Sequence, residues 1–334
     1  MKTRPSLVDV ARRAKVNIST VSRTINQTGK IGLKTQERVR RVMSEMNYKP
    51  NRVARRLRTR EGKSNLLGLV IPNIQNPFFA DLARGVEDVA YENDFAVLLC
   101  NYDEDPTREQ FYLDILQAES VDGIILPPIH ENDAAVLQVV RNGTPIVCVD
   151  RSLSSAALDK VEVDNRRGSF EAVEYLIGLG HRNIGFIGGP ADSSTGRERL
   201  AGYNAAHEKA GVPIKTQYVR FGDYKPGSGR RLAEELLSEP DPPTALFVCN
   251  CLMTVGALGT VYEMGLHIPD QIAIIGFDEL PLASVFNPPL TVVRQPAYEV
   301  GKCAAELMIK RLDDPRRAPT SLMLSPELII RKSC

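Results

Sequence analysis

Apolar positions in the first 50 residues recur at helical spacing. Leu7, Val10, Ala11 and Ala14 fall at i, i+3, i+4 and i+7, and Ser6 with Asp9 three positions later forms a capping-box pattern, so a first helix is predicted from about Leu7 to Arg13. After the turn at Lys15-Val16, Asn17 is placed to cap a second helix whose inner stripe is Val21 and Ile25. The opposite face carries Ser19, Ser22, Arg23 and Asn26. A third helix is predicted with Val39, Val42, Met43 and Met46 inward and Arg38, Arg40 and Arg41 nearby, available to phosphates. Three short helices of this kind make a helix-turn-helix domain.

From residue 65 the pattern changes. Short apolar runs alternate with amphipathic stretches, which is the signature of parallel sheets with helical crossovers. Strands are expected at LLGLVIP, FAVLLC, DGIILPP and PIVCVD, then at NIGFIGG, QYVRFGD, ALFVCN and IAIIGFD, giving two doubly wound lobes. LTVVRQ, a helix around 297–312 and a last strand near 327–331 are expected to cross back between the lobes. The expected fold is α/β: a small all-α headpiece at 1–49, a hinge helix and linker at 50–64, and a two-lobed domain at 65–334. Lobe one would hold about 65–163 and 293–324, and lobe two about 164–292 and 325–334.

Charge sharpens this division. The net charge of the 334-residue chain is only +1, yet residues 1–60 hold 17 Lys and Arg against three acids, so the remainder is strongly acidic. Concentrated basic charge on a folded helical module is the footprint of a polyanion-binding domain. The polar face of the second helix offers hydroxyls, an amide and a guanidinium, which suit base edges in a major groove.

The run LVDVARRAKVNISTVSRTIN resembles the opening of the lactose-repressor family of bacterial transcription regulators. The resemblance implies that Ile18, Ser19 and Arg23 read the operator, while Ser6, Thr20, Ser22 and Asn26 contact its backbone. Lys15 departs from the glycine usual in that turn. The segment YKPNRVARRLRTREG resembles the family's hinge helix, which pairs with its twin in the minor groove of a pseudo-palindromic site. By that resemblance Asn51 opens the hinge helix as a DNA contact, Leu57 is the wedge and Arg58 follows the groove beside it. A helix of about eight residues is too short to be stable alone, so it needs a partner chain and DNA to order it.

In open α/β sheets the ligand crevice lies at the carboxyl ends of the strands. There Asp150, Asn250 and Asp278 close three strands, Phe78 and Phe79 open a helix, Tyr224 follows another strand, and Arg197 precedes the stretch RLAGYNAAH as a charged clamp. Carboxylates and amides suit sugar hydroxyls, and aromatic rings cover an apolar sugar face. NPFFADLARGVE, DGIILPP, IGLGHRNIGFIGGP, RERLAGY, IIGFDEL and NPPLTVVRQP extend the resemblance over nearly the whole chain. It implies a periplasmic-binding-protein-like body, with Phe79, Asp150, Arg197, Tyr224, Asn250 and Asp278 at the effector-contacting positions of lactose, ribose and purine repressors. Cys251 departs from the Asp or Asn usual there.

Rival classes lack their motifs. Gly62-Lys63-Ser64 imitates the end of a P-loop, but Leu57 stands where a glycine is required, and Gly185, Gly188 and Gly189 are not spaced as a dinucleotide fingerprint. No pair among His130, His181, His207 and His267 has zinc-helix spacing, and Cys249-x-Cys251 has no second pair. The expectation is therefore no catalytic residue, no metal and no cofactor. A periplasmic sugar-binding protein would begin with an export leader, unlike the polar start MKTRPSLVDV. Six sparse cysteines fit a reducing cytoplasm, and the uncharged stretch 244–262 reads as a strand followed by a helix rather than a membrane span. The whole reads as a cytoplasmic, homodimeric repressor of operator DNA, controlled allosterically by a sugar or sugar derivative.

Overall fold

The computed structural model describes residues 5–26, 29–48 and 64–334. Asn51, Leu57 and Arg58 lie outside them. The chain divides into two compact units, one ending at Ser64 and one beginning at Asn65.

In the first unit, α1 (Leu7–Ala14), α2 (Ile18–Asn26) and α3 (Leu33–Glu45) surround a small core of Val10, Ala11, Ala14, Val21, Val39 and Val42. The capping box is complete: the Ser6 N–H donates to Asp9 Oδ2 at 2.9 Å, and the Asp9 N–H donates back to Ser6 Oγ at 3.3 Å. Lys15 ends α1 in the left-handed conformation, with φ 52°. That is the backbone geometry for which glycine is the easier residue.

The second unit holds two six-stranded sheets. The first contains β1 (Leu66–Ile71), β2 (Ala96–Asn101), β3 (Gly123–Leu126), β4 (Ile146–Val149), β5 (Asp159–Val163) and β11 (Ser321–Leu324), in the order β11-β5-β4-β3-β1-β2. The second contains β6 (Ile184–Gly188), β7 (Val219–Phe221), β8 (Ala245–Val248), β9 (Ala273–Phe277), β10 (Thr291–Arg294) and β12 (Glu327–Ile329), in the order β12-β10-β9-β8-β6-β7. All neighbours are parallel except β12, which runs antiparallel to β10. The two orders repeat one winding, so β4 in the first sheet corresponds to β9 in the second. Two strands escaped the sequence reading. In β5, DKVEV alternates buried and half-buried positions, and β11 lies beside it, so neither shows an unbroken apolar run.

Helices cover both sheets: α4 (Pro77–Glu92), α5 (Pro106–Ala118), α6 (Ala134–Arg141), α7 (Asn165–Gly178), α8 (Ser194–Ala210), α9 (Pro226–Leu237), α10 (Cys251–Glu263) and α11 (Ala297–Asp313). The 244–262 stretch thus resolves into β8 and α10. In the first lobe α4 packs tightly on α11, where a Cβ on Gly85 would collide with the Tyr298 carbonyl and one on Gly301 with that of Leu82. Because α11 packs on α4 while β10 and β12 belong to the second sheet, the chain passes between lobes after β5, after β10 and between β11 and β12. Three crossings form a hinge of short segments. Among the described residues no helix is long and apolar enough to cross a membrane.

Candidate functional site

The first surface is the exposed face of α2. Asn17 accepts the Ser19 N–H at 3.0 Å, so it caps the helix and fixes its entry. Val21 is fully buried and anchors the inner side. Ile18, Ser19 and Arg23 are exposed or partly so, as are Thr20 and Ser22; Asn26 closes the helix. Ile18 is 40% exposed, so its side chain lies on the accessible side of the helix. Ser6 also lies at the surface, although its hydroxyl donates to Asp9 within the cap. Arg38, Arg40 and Arg41 stand on α3, and all three are exposed.

The second site is a narrow polar cavity within the two-lobed unit, walled by the carboxyl ends of both sheets. Asp150, one residue beyond β4, and Asp278, one residue beyond β9, occupy equivalent positions of the two lobes. Each sits in the left-handed region, with φ 61° and 75°. The Asp150 N–H donates to Val161 O at 3.1 Å and the Asp278 N–H to Val293 O at 2.9 Å. The same backbone hook in each lobe turns a carboxylate into the cavity.

Asn250 caps α10 through the Leu252 and Met253 N–H groups, at 2.9 and 3.1 Å. The Cys251 thiol donates to Asn76 Oδ1 at 3.2 Å and joins the two lobes, and burial pushes it well above its ordinary pKa. At this position the chain has a neutral, lobe-bridging thiol where the family usually has Asp or Asn. Phe78 and Phe79 meet edge to face, with ring centres 5.0 Å apart, on the first lobe's wall. Tyr224 is held by Ser193 and Thr195 hydroxyls at 2.8 and 3.1 Å, against Gly189, where a Cβ would strike the ring.

One sequence-derived placement differs from the structure. Arg197 is not in the cavity wall: it is half-exposed and pairs with Glu131 of the first lobe. The buried arginine in the wall is Arg199, whose Nε donates to Asn165 Oδ1 at 2.8 Å and whose Nη1 donates to Cys249 O at 2.6 Å, with its guanidinium 3.9 Å from the Phe277 ring centre. Helical phase explains this. Thr195, Arg199, Gly202, Tyr203 and Ala206 share the buried stripe of α8, and Arg197 lies off it. That stripe was present in the sequence.

Sequence reasoning also missed Arg151 and Glu104. They form a bidentate pair in the wall, at 2.9 and 2.5 Å, and the Arg151 guanidinium lies 5.6 Å from the Tyr224 ring centre across the cleft. No motif announced this pair, since Glu104 and Arg151 lie 47 residues apart in the chain. Further links between lobes are Lys225 with Asp103 at 3.8 Å and His130 with Asp192 at 3.7 Å. Asp150 is pushed up to about 6, chiefly by burial and then by the charges of Asp278 and Glu104, against the opposing pull of Arg151 and Arg199. All six cysteines are free, with Cys148, Cys249 and Cys251 buried and Cys100 half-buried. Among the described residues, no three His, Cys, Asp or Glu side chains are grouped to hold a metal ion.

A helix-turn-helix with an exposed polar recognition face, followed by a two-lobed body around a polar cavity, defines a ligand-responsive DNA-binding regulator. Residues 6–51 match the sequence model of the bacterial regulatory proteins of the lacI family, and residues 173–334 match that of the periplasmic binding protein-like domain. The chain is 37% identical to the HTH-type transcriptional regulator DegA of Bacillus subtilis (strain 168), covering 100% of this chain and 98% of the relative. It is 33% identical to the HTH-type transcriptional repressor PurR of Photobacterium profundum, over 98% of each. Among solved structures it is similar to the lac repressor dimer bound to operator and the anti-inducer ONPF, with TM-score 0.87, 27% identity and 99% of each chain covered. It is also similar to the complex of the transcriptional regulator CelR with cellobiose, with TM-score 0.76, 31% identity, and 99% and 100% covered. The chain belongs to the lacI family of bacterial regulatory proteins. It is a DNA-binding transcriptional regulator that responds to effectors, and not an enzyme.

Proposed function

We propose that this regulator is a repressor that binds a pseudo-palindromic operator as a homodimer and releases or tightens its hold when a sugar or sugar derivative enters the cleft. The observation that carries the sugar reading is the cavity wall: Asp150, Asn250 and Asp278 at strand ends beside Phe79 and Tyr224. Paired acceptors with a nearby aromatic face are the usual means of holding a ring that is polar at its edge and apolar on its face. The cellobiose complex of the CelR relative supports the same chemistry. Arg199 takes the clamp role that the sequence assigned to Arg197.

In this reading α2 lies in the major groove, with Ile18, Ser19 and Arg23 toward base edges and Ser6, Thr20, Ser22 and Asn26 toward the backbone. Asn51, Leu57 and Arg58 serve the paired hinge in the minor groove, and effector binding changes the lobe angle that governs hinge pairing. Two observations support the homodimer. Exposed Leu99 on the edge strand β2 has exposed Phe111 and Ile115 on α5 near it in the chain, and Leu282 and Val285 stand exposed beyond β9; the similar lac repressor structure is a dimer on operator. Such a protein works in the cytoplasm, where the DNA is.

The test is fluorescence anisotropy on operator DNA selected from a random duplex pool. Arg23→Ala is expected to reduce the preference for selected over random duplex at least ~10-fold. Arg199→Ala is expected to retain DNA binding but lose its response to the effector, whereas Arg197→Ala changes the response less than threefold. A response lost with Arg197 and kept without Arg199 would move the site to the rim.

A further inference from the structure

We infer that the cleft selects its effector by charge: it takes an uncharged polyol or a protonated amine that donates hydrogen bonds to Asp150 of one lobe and Asp278 of the other, and it rejects the phosphate ester or carboxylate of the same molecule. This rests on the cleft being the effector site, as proposed above.

The two carboxylates are 7% and 4% exposed and come from equivalent hooks of the two lobes. They differ in how well the protein serves them. Asp278 accepts the Gln295 side-chain N–H at 2.5 Å and the Cys251 N–H at 3.4 Å. Asp150 accepts no side-chain or backbone hydrogen bond from the described residues, and Arg151 Nε approaches its Oδ2 only to 3.7 Å. A carboxylate so deeply buried is costly without donors, so a ligand that brings them is favoured there.

A second, independent group makes the same demand. Gln295 is 7% exposed and lines the cavity, and its Oε1 has no hydrogen-bond partner. Its amide orientation is set by the donation of Nε2 to Asp278, so an acceptor, not a donor, is left over. Two acceptors without donors, Asp150 from the first lobe and Gln295 beside Asp278 of the second, line the cavity and call for a ligand rich in O–H or N–H groups.

The cations on the wall do not offset this. Arg151 is held by both Glu104 oxygens, with only its Nε, 3.7 Å from Asp150, left without a hydrogen-bond partner; Arg199 is hydrogen-bonded to Asn165 and the Cys249 carbonyl, and Lys225 lies by Asp103. Asp103, Glu104, Asp150, Asp223 and Asp278 line the cavity against Arg151, Arg199 and Lys225, an excess of acid. An entering phosphate would face the Asp150 and Asp278 carboxylates at low dielectric with its counter-charges already engaged. A protonated amine would instead bridge them and bring together two lobes whose like charges oppose closure.

The experiment is a thermal-shift screen of the full chain at pH 7.5 against pentoses, hexoses and disaccharides, each supplied as the neutral sugar, the amino sugar, the phosphate ester and the sugar acid. Calorimetry on the hits follows. The expected result is stabilisation by neutral or amino forms, with the matching phosphate and acid at least ~100-fold weaker. Asp150→Asn, which keeps the side-chain size and tolerates the left-handed backbone, is expected to weaken the hit at least ~10-fold while the folded protein still melts cooperatively. A phosphate or acid form bound as well as its neutral parent overturns charge selection and leaves the cleft as the effector site. Affinity unchanged in both Asp150→Asn and Asp278→Asn removes the bridging pair. No shift with any compound overturns the sugar reading itself, and this inference with it.

Discussion

Asp150 is a buried carboxylate in the cavity wall whose charge costs stability. Burial raises its pKa to about 6, with Asp278 and Glu104 adding repulsion and Arg151 and Arg199 opposing it. An unfolded aspartate titrates near ~4. Because the folded value is the higher one, the folded state binds the extra proton between these limits, and that stabilisation is lost as pH rises through about 6. Above that pH the ligand-free protein carries a buried charge without hydrogen-bond donors. Asp150→Asn is therefore expected to stabilise the protein by roughly 1–3 kcal/mol at pH 7.5, with the gain shrinking toward pH 4.5. Melting curves of both proteins at the two pH values check it. An equal or larger gain at the acid end would mean that burial of the charge is not the cause. Asp150 was legible from its place at the end of an apolar run. Its neighbours Arg151 and Glu104 were not, because nothing local marks two charged residues 47 positions apart as a buried pair.

At the scale of elements, local pattern and long-range packing contributed differently. The three headpiece helices follow from caps and stripes that lie within a few residues of one another, so Ser6, Asp9, Asn17 and Val21 were readable directly. Lys15 is the local exception, since its left-handed backbone with φ 52° asks for glycine. Lys15→Gly is expected to stabilise the headpiece by about 0.5–1 kcal/mol, seen as slower amide exchange at Val10, Ala11 and Val21. Exchange that quickens would show that the lysine side chain contributes more than the turn costs. The α4–α11 pairing lies at the other extreme. Gly85 and Gly301 belong to helices far apart in sequence, and each meets a backbone carbonyl of the other helix. Gly301→Val is expected to cost more than about 2 kcal/mol, measured by urea unfolding. A loss below about 0.5 kcal/mol would mean that the helices can separate freely. Strands β5 and β11 belong here too: β5 lies between β4 and β11, and β11 pairs with a strand about 160 residues earlier in the chain.

The whole molecule is a helical headpiece followed by a repeated winding joined by three crossings, and the repetition gives the cleft its chemistry. Equivalent strand ends deliver Asp150 and Asp278 from opposite lobes, and Cys251–Asn76, Lys225–Asp103 and Arg197–Glu131 link the lobes around them. In the proposed function, effector and operator binding are two equilibria coupled through the lobe hinge, typically by about 1–3 kcal/mol. The exposed apolar residues on β2 and α5 and beyond β9 belong to this scale as well. Phe111→Asp combined with Leu282→Asp is expected to shift the protein from dimer to monomer in sedimentation velocity at micromolar concentration, and to weaken operator binding at least ~10-fold. A double variant that remains dimeric would place the subunit contact elsewhere.

The headpiece helices, most strands of the two lobes, the basic front end, the polar face of α2 and the strand ends that carry acids were set by the sequence, because each depends on neighbours a few residues away. Tertiary structure alone decided that Arg151 pairs with Glu104 beside Tyr224 and that a thiol spans the lobes at Asn76. The physical reason is range. A helical or strand period is a local property of the chain, whereas which charges become buried together depends on how two distant sheets close on each other.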